Sequence, residues 1–255
     1  MATFEQALFQ LWPHGDDRIP GLRASIVASA PRILEKYAIN TKTAFAHFMA
    51  QISHECGAGL EVEENLSYSA ERMTQVWPSR FRSLAEAAPY AHNPRLLANK
   101  VYNGRMGNEV GSDDGWNYRG RGATQTTGHD GYNKLAQKLR IDLLSNPSMV
   151  NDPKLFLECG AADFVICGCL MPALSDDIRQ VTLKLNGGEI GLDQRQAWLD
   201  KWKSLNVILP IGQTTPSVPN VVPLRPKPVL VPTPVQKSWI EVLIATIMSL
   251  FGGKK

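Results

Sequence analysis

The sequence predicts a mainly α-helical body over residues 1–207, a Pro-rich linker over 208–236 and a short apolar, cationic C-terminal helix over 237–255. Three observations carry this. Apolar residues in the body recur at the 3.6-residue spacing of one helix face, with no run of alternating strands. Eight prolines fall between Pro210 and Pro234, a density that excludes helix and interior strand. The 13 mostly apolar residues from Trp239 to Phe251 are fewer than the ~20 needed to cross a bilayer.

In order along the chain, Arg32 to Tyr37 reads as a helix, and a second follows an Asn40-Thr41 cap signal. In the second, Phe45, Phe48, Met49 and Ile52 form the apolar stripe, which stops at Gly57 and Gly59. Tyr132 to Leu139, Leu155 to Leu170, Asp177 to Leu185 and Asp193 to Leu205 are further helices. The stretch from Cys159 to Leu170 is apolar on nearly every side except Asp163, the pattern of a buried central helix. No internal repeat is present. The tail helix, flanked by Lys237, Lys254 and Lys255, reads either as an interfacial segment meeting an anionic membrane through residues 239–251 or as a helix that docks back on the body or self-associates.

Composition narrows the function. The 255 residues are 44% hydrophobic and 20% charged, which excludes global disorder. Residues 201–255 hold seven Lys/Arg against Glu241 alone, so the net charge of +3 leaves the first 200 residues slightly acidic, a poor trap for nucleic-acid phosphates. Cys56, Cys159, Cys167 and Cys169 form no Cys-x-x-Cys pair, which predicts reduced thiols, and the last three have no histidine near them in sequence, so they read as core residues rather than metal ligands. No metal or cofactor is expected. The start, Met1-Ala2-Thr3-Phe4-Glu5, lacks a cationic region followed by an apolar stretch, which predicts cytoplasmic synthesis without conventional secretion.

Extending the Phe45 stripe by helical spacing lands on Glu55, in the last turn before Gly57. A carboxyl that is buried at the negative end of a helix is disfavoured as an anion on both counts, the property of a general acid. The alternative is a core glutamate paired with an arginine. Three more acids follow in Glu61-Val62-Glu63-Glu64, any of which could be a partner base or part of a solvated acidic loop. Glycosidic hydrolysis needs two carboxyls, about 5 Å apart for direct attack on the sugar and ~6.5 to 9.5 Å apart where a water intervenes. The segment from Asp114 to Gly128 mixes Trp116 and Tyr118, Arg119 and Arg121, four glycines and a run of Thr and Gln. It reads as a loop that brings backbone close to a polar ligand, its aromatics serving as sugar platforms or as core. A phosphate-loop reading fails for want of Gly-Lys-Ser/Thr. Asn186, before Gly187-Gly188, is either a ligand-binding amide or a helix cap.

Together these segments resemble glycoside hydrolase family 19, the family of plant-type chitinases and of many phage endolysins. Ser53-His54-Glu55-Cys56-Gly57, Glu64-Asn65-Leu66-Ser67-Tyr68-Ser69-Ala70, Tyr102-Asn103-Gly104-Arg105-Met106-Gly107-Asn108, Tyr118-Arg119-Gly120-Arg121-Gly122-x-x-Gln125-x-Thr127-Gly128 and Asn186-Gly187-Gly188 follow in the family's order, across residues 25–207. The resemblance implies a lysozyme-like, two-lobed helical domain with a central cleft. It implies that Glu55 protonates the leaving oxygen, Glu64 activates water in an inverting reaction, Thr127 helps hold that water, and Gln125 and Asn186 bind the sugar. His54, Tyr68, Tyr118 and Arg121, in the same motifs, complete the expected substrate-binding set. The sequence departs from the family pattern at Cys56, at Thr124 and Thr126 in place of apolar residues, and at Gly131 in place of a common Asn.

The expectation is therefore an endolysin-like glycosidase, monomeric, cutting β-1,4 bonds of peptidoglycan in the bacterial wall or periplasm, reached after permeabilisation of the membrane. The alternatives are a chitinase acting on chitin oligomers and a wall-binding descendant that has lost turnover.

Overall fold

The structure is a computed structural model and describes residues 1–211; the rest of the linker and the C-terminal segment read from the sequence lie outside the described residues. Among the described residues twelve α-helices follow one another: α1 Phe4–Leu11, α2 Leu22–Lys36, α3 Lys42–Glu55, α4 Ala70–Val76, α5 Leu84–Ala87, α6 Pro94–Tyr102, α7 Asp114–Asn117, α8 His129–Leu139, α9 Phe156–Ile166, α10 Leu170–Leu174, α11 Ile178–Asn186 and α12 Leu192–Ser204. The mainly helical class is as the sequence predicts, and β structure among the described residues is confined to isolated bridges.

Local chemistry sets several boundaries. Thr41 caps α3 by accepting from the Ala44 N–H, Asn93 caps α6 ahead of Pro94, and Asp177 caps α11. Two helices differ from the sequence reading. The helix read from Arg32 begins ten residues earlier and carries Pro31 inside it, because Leu22, Ile26 and Ala30 continue the buried stripe of Ile33 and Leu34 and offset the lost backbone bond. The single helix read from Leu155 to Leu170 is two, α9 and α10, broken where Gly168 takes φ +77°.

The first core is built around α3, whose residues from Ala44 to Ser53 are buried on every side. It packs against α9, α10, α11 and α12. Phe45 meets Phe4 and Trp202 edge-on, with ring centroids at 5.3 and 5.8 Å, and Phe48 meets Phe164 at 5.5 Å. The second lobe is an insertion into this core. The chain leaves it after Val62, builds a separate cluster from Met73 on α4, Leu97 and Val101 on α6 and Leu66, Trp77 and Phe81 in the segments beside them, and returns at Tyr118. Two lobes joined by two neighbouring segments are the lysozyme-like architecture expected.

One polar contact holds three helices of the core together. The Ser53 hydroxyl oxygen, fully buried, accepts the indole N–H of Trp12 at 2.8 Å and of Trp202 at 3.0 Å. Ser53→Ala would leave both donors without a partner, at about 1 to 3 kcal/mol for each. Urea unfolding should show a stability loss of about 2 to 5 kcal/mol; a loss under about 0.5 kcal/mol, the range of an ordinary surface change, would contradict this role.

Candidate active site

Glu55 closes α3 with its side chain 3% exposed, and it is not alone there. The Arg195 guanidinium, fully buried on α12, donates to Glu55 Oε1 at 2.6 Å and also to the Gln51 side-chain oxygen, one turn earlier on α3. Of the two readings of Glu55, the structure thus supplies the arginine partner. The glutamate is a buried ion pair, whatever else it does. His54 lies beside this pair: a Cβ on Gly191 would sit 2.7 Å from His54 Nε2 and 3.6 Å from Arg195 Nε. His54 Nε2, Arg195 Nε and Asn186 Oδ1 are buried without a hydrogen-bond partner among the described residues. Burial and the Arg195 charge push the His54 imidazole down to about 3, so it stays neutral. The helix cap is Gly187, at φ +75°, rather than Asn186, whose amide donates to the Ile190 carbonyl at 3.5 Å.

Glu64 occupies a different environment. Its backbone pairs with the loop, the Glu64 N–H donating to the Gly120 carbonyl at 2.9 Å and the Gly122 N–H to the Val62 carbonyl at 3.0 Å. Its carboxylate accepts from the Tyr102 hydroxyl at 2.5 Å and from the Gly120 N–H at 3.3 Å. Burial raises the Glu64 carboxyl above the ordinary range, while these donors and the nearby Arg119 and Arg121 charges pull the other way. Burial and the adjoining Glu64 charge raise the Tyr102 phenol, which therefore stays protonated and donates. Gly120 is the hub of this side: a Cβ there would lie 2.9 Å from Gln125 Oε1, 3.3 Å from Thr127 Oγ1 and 3.5 Å from Glu64 Cβ. Gln125, Thr127 and Glu64 therefore meet around one glycine, which leaves backbone space at their centre.

The other expected residues are distributed unevenly. Tyr68 sits near Glu64, whose charge adds to burial in raising its phenol, and its ring meets Trp77 edge-on at 5.2 Å. Arg121 is buried and committed within the protein, to Glu63 Oε1 at 3.0 Å, the Asn117 carbonyl and the Tyr132 hydroxyl. Arg119 shares Glu63, so that acid clamps the two arginines. The Arg119 guanidinium lies 3.5 Å over the Trp116 ring and covers that face. Tyr118 is buried among His129 and Tyr132, with its hydroxyl on the Leu144 carbonyl at 3.3 Å. Cys56 is fully buried, its thiol donating to the Ile52 carbonyl and pushed up to about 12 by burial, and all four cysteines are free.

Arg195, Gln51 and Tyr102 are neighbours to which sequence reading gave no role, and Asp163 was read only as the polar exception in a buried helix. A signal existed for two of them. Leu192, Arg195, Leu199 and Trp202 share one helical face, so Arg195 is a cation on an apolar stripe, the counterpart of Glu55, and Gln51 lies four residues before Glu55.

No family model matches this chain. A curated protein of Haemophilus influenzae, named a glycosyl hydrolase family 19 domain-containing protein, is 33% identical over 196 residues, which are 76% of this chain and 92% of the relative. The crystal structure of chitinase C from Streptomyces griseus superposes with a TM-score of 0.50 at 17% identity, over 79% of this chain and 90% of that one. The two-lobed helical fold is thus that of a glycoside hydrolase. On the first relative, the chain belongs to glycosyl hydrolase family 19.

The Glu55–Arg195 pair makes a stability prediction. Arg195→Met leaves a buried carboxylate without its counter-ion and should cost about 3 to 5 kcal/mol in chemical denaturation at neutral pH. Adding Glu55→Gln should recover a good part of that loss. A double variant as unstable as Arg195→Met alone would show that the packing of Arg195, rather than its charge, matters there.

Proposed function

We propose that this chain hydrolyses β-1,4 bonds of peptidoglycan with inversion, in the manner of an endolysin, Glu55 acting as the acid and Glu64 as the base. The observation that carries the reading is that the two carboxyls have different electrical surroundings, Glu55 in the core against a buried guanidinium and Glu64 at the junction of the lobes, hydrogen-bonded to the neutral Tyr102 hydroxyl and Gly120 N–H. Glu55, an ion-pair carboxylate in the free protein, has to take up a proton before each turnover; when it gives that proton to the leaving oxygen, the carboxylate regains its counter-ion, already in place at 2.6 Å. Glu64, raised by burial, is a stronger base once ionised and takes a proton from the attacking water. The Tyr102 hydroxyl and Gly120 N–H hold its two oxygens in place. Thr127 holds the water, and Gln125 and Asn186 take the sugar's acetamido and hydroxyl groups, with His54, Tyr68 and the segment around Tyr118 and Arg121 shaping the walls.

Peptidoglycan is favoured over chitin by the Glu64-to-Ala70 motif, which resembles the phage-type branch, and by the absence of disulfide-bearing insertions, all four cysteines being free. On this reading the protein acts alone, meets the wall after the membrane is breached, and uses the cationic segment with residues 239–251 to contact anionic lipid.

Zymography on purified peptidoglycan beside glycol chitin tests the substrate, and clearing of glycol chitin alone would replace peptidoglycan by chitin. Glu55→Gln and Glu64→Gln should each lower the rate by about 10²- to 10⁴-fold with the fold retained. Glu61→Gln should leave it nearly unchanged, and Glu63→Gln should act mainly on stability by releasing Arg119 and Arg121. A rate loss greatest in Glu63→Gln would move the base role to that residue.

A further inference from the structure

The segment that follows Gly122 sends its side chains in two directions. Ala123, Thr124 and Thr126 turn to α9. Gln125 and Thr127 turn to Gly120 and Glu64. On α9 the receiving residues are Gly160 and Asp163, three apart and so on one helical face. A Cβ built on Gly160 would lie 2.8 Å from the Ala123 methyl, so the glycine is what lets the segment touch the helix. One turn on, a single oxygen of Asp163, Oδ2, accepts the hydroxyls of Thr124 at 2.8 Å and Thr126 at 3.0 Å. Both threonines are buried, with 8% and 5% exposure.

Between those two anchored threonines, Gln125 is held at φ +52°, a left-handed conformation that a side chain of this kind adopts only when its surroundings impose it. Its amide donates to the Glu61 carbonyl at 2.7 Å, and the Thr127 hydroxyl donates to the Gln125 carbonyl at 2.8 Å. A carboxylate within an apolar helix carries a desolvation cost that simple packing would avoid. What it adds is direction: two hydroxyls converging on one oxygen fix the register of the segment as well as its depth.

We propose that Asp163 is a positioning residue for the hydrolysis, setting through Thr124 and Thr126 the register in which Gln125 and Thr127 face Glu64. This rests on the roles given above to Gln125 and Thr127, and Asp163 itself acts through them rather than on the sugar.

The test compares full-length Asp163→Leu, which removes the acceptor, Asp163→Asn, which keeps an acceptor oxygen, and Thr124→Val/Thr126→Val, which removes both donors at nearly constant volume. For each, kcat and KM on a soluble peptidoglycan polymer are measured alongside Tm and the Gln125 side-chain amide resonances, assigned by their loss in Gln125→Glu. In Asp163→Leu and in the double valine variant, kcat/KM should fall by about 10²-fold in folded protein, as expected for misplaced groups. KM should rise, and the Gln125 amide pair should move toward free-amide positions. Asp163→Asn should restore most of the activity. In a Thr127→Ala background, Asp163→Leu should cost far less than it does in wild type, because the two act through one another.

Additive losses, an unchanged KM and unmoved Gln125 resonances would reduce Asp163 to a structural residue and overturn the proposal. Should Asp163→Leu fail to fold, the asparagine and double valine variants decide in the same way. If the wild-type chain cleaves no polymer, the hydrolase reading falls, and the amide resonances alone decide whether Asp163 sets the segment.

Discussion

The Arg195 guanidinium has no exposed surface, and two acceptors on one face of α3, Gln51 and Glu55, receive its hydrogen bonds one turn apart. That contact constrains much of the rest. Helix α3 is buried almost throughout, so a charged residue at its end either has a partner or destabilises the core. Arg195 provides that partner and at the same time fixes α12 along α3. Ser53, two residues before Glu55, adds Trp12 and Trp202 to the same joint. The carboxyl proposed as the acid therefore sits on a helix buried almost throughout, where its position is held by packing and by charge together.

The second carboxyl owes its place to how the chain is threaded. Because the smaller lobe is inserted between Val62 and Tyr118, the outgoing and returning segments run side by side, and Glu64 pairs through its backbone with Gly120. Glu63 faces Arg119 and Arg121 and closes the seam, while Tyr102, at the end of α6, reaches back from the smaller lobe to the Glu64 carboxylate. One acid thus belongs to the rigid core and the other to the junction between the lobes.

Helix α3 was legible because its signals agree: the Thr41 cap, the Phe45, Phe48, Met49 and Ile52 stripe, and the stop at Gly57. Glu55 was legible as a polar residue on that stripe. Its partner was not, since Arg195 is 140 residues away and nothing local pairs them. The small lobe was read least well. Helices α4 and α6 span seven and nine residues, too few for a clear period, although Ser69 and Asn93-Pro94 mark their starts. The break between α9 and α10 hides in an apolar run where one glycine, Gly168, decides against continuation. Trp116 and Tyr118, open in sequence to either a platform or a core reading, and Arg121, expected in the substrate-binding set, are largely occupied by protein partners. The loop's exposed chemistry instead comes from Gln125 and Thr127, and their orientation depends on threonines and an aspartate that sequence could not connect.

In the proposed reaction Glu64 acts on a water molecule and not on the sugar itself. Time-resolved proton NMR of the first turnovers on a β-1,4-linked N-acetylglucosamine-containing oligomer tests it directly, by reading the anomer formed at the new reducing end before mutarotation. Activation of water predicts the α-anomer first. Initial release of the β-anomer would mean a double displacement, through a carboxylate or the sugar's own acetamido oxygen, and would contradict the roles assigned to Glu55 and Glu64.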